Sequence, residues 1–192
     1  TDNTQLMWAK QVLETAKNDP NIDWIFSYTH RPIQAEQYIG DISTWVRDKI
    51  MPLLNTTEKS VLNVGAHHHL YHRGQLRDYP TYHIINGGAS WDQRWGQSTE
   101  KDFDDVQKTI DYWPFQIVEL NSLETTMHVE TYVIGNQAET LDSITLVDTF
   151  FRKFGQKRPN KPSIQALEKD TIELPYTFFS SPYSFDNEFE YN

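Results

Sequence analysis

Two short runs of aromatic and β-branched residues constrain this chain more than any other feature: Trp24–Tyr28 (WIFSY) and Ser60–Gly65 (SVLNVG). Each has the length and residue types of a buried strand. A helix pattern lies between them, with Ile42, Trp45, Val46, Ile50 and Leu53 on one stripe behind an N-cap at Asp41. Another precedes them. There Leu6, Ala9, Val12 or Leu13, and Ala16 recur at helical spacing, Asp2, Asn3 and Thr4 offer caps, and Asn18-Asp19-Pro20 stops the helix. Helix, strand, helix, strand is the order of a parallel α/β sheet.

Both strands empty into histidines. The first leads into Thr29-His30-Arg31-Pro32, where Pro32 keeps Arg31 out of the helical region and so leaves His30 in a loop. The second leads into Ala66-His67-His68-His69-Leu70-Tyr71-His72-Arg73. Parallel α/β sheets hold ligands off the carboxyl ends of their strands, where these loops fall. In extended backbone, His67 and His69 share a face and His68 points away. Two neutral imidazoles on one face chelate a metal ion, and His30 offers a third nitrogen. A lone His-x-His is a weak signal, and the second His-bearing strand exit strengthens it. His72, His83 and His128 read as ordinary surface or strand positions.

The pattern changes after residue 80. Thr81–Asn86 reads as a strand entering the Gly87-Gly88 turn, Ser90–Gln97 as a loop with Trp91 and Trp95, and residues 100–110 as a short helix bearing Phe103, Val106 and Ile110. Three strands follow near 115–121, 126–134 and 141–149. In the middle one Met127, Val129, Thr131 and Val133 share a face. Their connections are too short for crossover helices, so this half is antiparallel. Gly155–Pro162 reads as a linker, and residues 163–192 as a tail or the start of a further β domain.

Composition excludes several classes. The chain has 192 residues, 17 Lys and Arg against 27 Asp and Glu, and a net charge of -10, which disfavours a nucleic-acid surface. It has no cysteine, so thiol catalysis and Cys-ligated metals are out. No apolar run is long enough to span a membrane.

The stretches WIFSYTHRPI and SVLNVGAHHHLYHRGQL, in this order, resemble the later half of the calcineurin-like metallophosphoesterases, most closely the purple acid phosphatase branch. That branch carries Gly-His-x-His-x-Tyr-x-Arg, and here only Ala66 departs from it. Gln5-Leu6-x-Trp8 is similar to the family's helix opening, and Tyr82-His83-Ile84-Ile85-Asn86-Gly87-Gly88 to its strand and glycine turn. The resemblance covers residues 1 to about 150. It implies a mixed α/β (α+β sandwich) chain, the C-terminal half of a four-layer phosphoesterase fold, with residues 1–154 in that domain. It also implies two divalent or trivalent metal ions (Fe, Zn or Mn), one bound by His30 and His67 and the other by His69. Arg31 and His68 become candidates for substrate contact, and Tyr71 and Arg73 for support of the ligand loop. The family's Asp-x-His, bridging Asp and Gly-Asn-His motifs are absent, so the expected partner is the missing N-terminal half of the same domain.

The reading is metal-dependent hydrolysis of phosphoesters. The alternative is a non-catalytic secreted binding or structural module on the same fold. A mononuclear tri-histidine zinc site is a third option. One glycosylation sequon, Asn55-Thr56-Thr57, and the resemblance lean towards a secreted, periplasmic or cell-surface protein.

Overall fold

The computed structural model describes residues 3–35, 44–76, 79–88 and 106–154. The Asp41 cap, the Trp91 and Trp95 loop, Phe103, the 155–162 linker and the 163–192 tail lie outside these residues.

Helix α1 (Thr4–Asn18) ends where Pro20 forces Asp19 into extended backbone, with ψ 116°. It buries Leu13, while Val12 stays exposed, which resolves the alternative in the sequence stripe. Lys59 donates to the carbonyls of Ala16 and Asp19, at 3.1 and 2.6 Å. A cation on the helix's orphan carbonyls stabilises its negative end and ties it to the strand that follows Lys59. The second helical segment winds as a π-turn over Val46–Ile50 before becoming α2 (Met51–Leu54). Pro52 explains the wide turn: it has no N–H for the Asp48 carbonyl and its ring crowds that oxygen. Met51 N–H then reaches Val46 O, five residues back.

Two sheets follow. The first holds β1 (Ile25–Tyr28), β2 (Ser60–Gly65), β3 (Tyr71–Gln75), β4 (Tyr82–Asn86) and β5 (Lys108–Ile110), in the order β1-β2-β4-β3-β5. Strands β1, β2 and β4 run parallel, and β3 runs antiparallel to both its neighbours. The second is an antiparallel meander of β6 (Pro114–Asn121), β7 (Thr126–Gly135) and β8 (Thr140–Lys153). The mixed α/β class with its parallel half and antiparallel half is as expected, and Met127, Val129, Thr131 and Val133 are the buried face of β7.

Two local expectations fail. Residues 71–73 form strand β3 and not the end of a loop. YHRGQ carries no β-branched residue, so its propensity gives no warning, and ladders on both sides impose the strand. Residues 108–110 form strand β5 and not helix, because they complete the sheet edge on β3.

The sheets pack face to face through Leu62, Tyr71, Tyr82 and Ile84 against Met127, Val129 and Phe150, all buried. The Tyr82 and Phe150 rings lie 4.5 Å apart. On the opposite face Ile25 and Leu76 meet Leu13, Val46, Ile50, Met51 and Leu54 of the helices. A polar clasp also joins the sheets. Asp148 of β8 accepts from Tyr71 Oη at 2.6 Å and from Arg73 Nε at 2.7 Å, both on β3. Arg73 and Asp148 are almost fully enclosed, at 7% side-chain exposure each. Burial and the Asp148 charge push the Tyr71 hydroxyl far above the ordinary phenol range, so it stays a donor.

Candidate metal centre

The two histidine loops meet at the carboxyl edge of the parallel strands. Thr29 N–H donates to Val64 O and Ala66 N–H to His30 O, extending the β1–β2 ladder beyond the strands. Gly65 lets the loops touch: a Cβ there would stand 2.8 Å from Pro32 Cα. Gly87, after β4, lies against the His68 carbonyl and His69 Cα, with no room for a side chain. The backbone of AHHH is thus held from two sides by glycines. Asn63, fully buried in β2, donates to Ser27 Oγ at 2.9 Å and accepts from Thr29 Oγ1 at 3.4 Å. It fixes the β1 exit that carries His30.

This scaffold brings His30 and His67 together. His30 Nε2 and His67 Nδ1 are 3.1 Å apart, and the ring centroids 5.0 Å apart. His67 adopts a left-handed backbone, φ 67°, and so departs from the extended geometry assumed for a His-x-His pair. Its pKa is lowered, first by burial, then by His30, Arg31 and His69, so neutral imidazole is favoured. Two nitrogens bound to one ion at about 2.1 Å, with an angle of ~95–109°, are about 3.1–3.4 Å apart. The His30–His67 spacing fits that bite, and neutral imidazole nitrogens suit Zn, Fe or Mn-type ions.

The other candidates are placed differently. His69 lies within electrostatic reach of His67. Among the described residues, no group of three or more His, Cys, Asp or Glu side chains is arranged to hold a metal ion. The tri-histidine zinc site expected as a third option is therefore not built by these residues. Arg31 is exposed and its charge reaches His67. His68, a candidate for substrate contact, is wholly buried instead, with its pKa pushed down to about 4 by burial and then by His67 and His69. Tyr71 and Arg73, in the strand that the ligand loop runs into, hold Asp148 and thereby clasp the two sheets.

His72 and His83 take the strand alternative of the sequence reading, in β3 and β4, and are buried there with rings 5.2 Å apart at 34°. Sequence reasoning also missed Asp148, Asn63 and the contacts of Gly65 and Gly87. An Asn inside the apolar run SVLNVG and glycines at the ends of β2 and β4 were the available signals. Asp148 had none, because its partners are 75 and 77 positions away.

The chain has a mixed α/β fold that matches part of two solved structures. The chain is similar to a purple acid phosphatase from yellow lupin (Lupinus luteus) seeds, at 13% identity and a TM-score of 0.54 over 77% of this chain and 28% of that one. It is equally similar, with a TM-score of 0.54 at 20% identity, to GAP50, the anchor in the inner membrane complex of Plasmodium, over 77% of this chain and 42% of that one. The chain thus spans less than half of either structure. No family model matches it, and no curated protein matches it in sequence. None of the described helices is long and apolar enough to cross a membrane.

Proposed function

We propose that this chain supplies the histidine side of a metal-dependent phosphoester hydrolase of the calcineurin-like, purple acid phosphatase-like kind. The observation that carries this reading is the 3.1 Å approach of His30 Nε2 to His67 Nδ1 at the carboxyl edge of a parallel sheet. His30 and His67 would hold one ion and His69 would serve a second. Bound there, such ions activate water and neutralise phosphate oxygens. Asn63 and Gly87 orient the ligand loops, and Arg31 brings positive charge to the rim where a phosphate would sit. The carboxylates needed to bridge two ions would come from polypeptide outside these 192 residues, and an exported setting suits the resemblance.

The test uses the full-length protein, assayed for metal content and for p-nitrophenyl phosphate hydrolysis with Mn, Zn or Fe. His30→Ala and His67→Ala should each lose bound metal and turnover together. Unchanged turnover in both variants would sink the reading.

A second reading is a non-catalytic module on the same fold. It is favoured by the lack of carboxylates among the described residues grouped with the histidines. The likeness to a protein described as an anchor points the same way. A full-length protein that binds no metal and folds normally would establish it.

A further inference from the structure

The second sheet carries no cation along most of its length. From Pro114 to Phe151 the sequence has six acidic residues and neither Lys nor Arg. Asp148 is used internally by Arg73, whereas Glu119, Glu124, Glu139 and Asp142 are exposed. Strand β6 also exposes apolar side chains on both faces. On the outer face are Phe115, stacked on Tyr132 at 5.5 Å, and Ile117. On the inner face, Val118 and Leu120 pair with Val129 and Met127, which are wholly buried, yet are themselves 39% and 44% exposed. The apolar layer between the sheets therefore runs off the edge of β6 into solvent.

Among the described residues, β6 has a ladder partner on one side only, β7. Sheet edges are normally guarded by Lys, by Pro within the strand, or by a bulge. Strand β6 pairs with β7 in unbroken register over all eight residues, and its proline is the first of them. Gly88 already packs against that proline, which leaves 115–121 as the stretch with no further ladder partner among the described residues. We infer that this edge receives an extended polypeptide segment of alternating basic and aliphatic residues, added as a further strand. Backbone hydrogen bonds hold the segment. Its aliphatic side chains cover Val118 and Leu120, and its basic side chains meet Glu119 and the acidic surround. A second copy of this chain is a poor occupant, because it would set Glu119 and the cation-free 114–151 stretch of one copy against those of another.

The experiment uses the full-length protein and two labelled eight-residue peptides, one alternating Lys with Ile and the other Glu with Ile. The Lys peptide should bind at least about tenfold more tightly and weaken with added salt without being abolished, since the strand bonds persist. Backbone amides of 115–121 should gain protection from hydrogen exchange in its presence. Val118→Lys and Leu120→Lys should each weaken binding about tenfold, whereas Met7→Lys on the exposed face of α1 should not. Hydrogen exchange on the unaltered chain decides the matter if a β6 variant fails to fold. Equal binding of both peptides, or protection appearing elsewhere, overturns the inference. A concentration-dependent dimer that Val118→Lys disperses also overturns it, by giving the edge to a second copy.

Discussion

The molecule holds two histidine pairs within one sheet, and they are opposites. His30 and His67 sit in the loops after β1 and β2, where solvent reaches them and ring nitrogens meet nitrogen to nitrogen. His72 and His83 sit within β3 and β4, wholly enclosed, with ring laid on ring. The same side chain is thus an available ligand at a strand exit and a space-filling, neutral ring inside the strand. Burial makes the difference: enclosed imidazole can neither be hydrated when charged nor offer a lone pair to an ion from outside. Arg73 extends the contrast. It belongs to the same motif as His67, yet its charge is spent inside the protein on Asp148.

The largest effect is expected in that interior. Asp148→Ala leaves Arg73 charged and enclosed without its carboxylate, and urea unfolding should show a loss of about 3–5 kcal/mol. A loss below about 1 kcal/mol would mean that the clasp is hydrated and that the interior is less dry than its burial implies.

Next in size is the response to acid. Burial, followed by the charges of His83, His68 and Arg73, puts the His72 pKa well below 6.5 in the folded chain. The unfolded chain regains the ordinary value, so below pH 6.5 it binds the proton that the folded chain refuses. Stability is then intact above pH 6.5 and falls as pH drops towards the folded pKa, by up to about 1.4 kcal/mol per pH unit for each such ring. Between pH 7 and pH 5 stability should therefore fall, and His72→Phe should flatten that part of the profile. An unchanged profile would erase the distinction between the two pairs.

The smallest stability change is expected at the rim. His67→Ala should alter unfolding by less than about 1 kcal/mol, as for a half-buried loop residue, while weakening zinc binding to this chain at least tenfold, about 1.4 kcal/mol. If His72→Phe lowers zinc affinity as much as His67→Ala does, the assignment of chemistry to the exposed pair fails.

Much of this arrangement was legible in the residues. The run SVLNVG is strand β2 to the residue, and Pro20 ends α1 where expected. The two strand exits do bring His30 and His67 into contact. What escaped reading was of another kind. Strand β3 is weak in propensity and exists because β4 and β5 pair with it from both sides. His67 takes a left-handed backbone, and Gly87 packs on the backbone of His68 and His69. Neither is coded by residues 66–69.

By itself, then, the sequence determined the helix, strand, helix, strand order of the first 65 residues, the β7 core face and which loops carry imidazole. Those features follow from local periodicity and from the few conformations open to proline and glycine. Tertiary structure decided which histidines solvent reaches and which are enclosed, which motif residues clasp the sheets, and that β6 stands at an edge among the described residues. These depend on contacts between residues dozens of positions apart, where burial and the direction of a neighbouring strand, not residue type, set what a side chain can do.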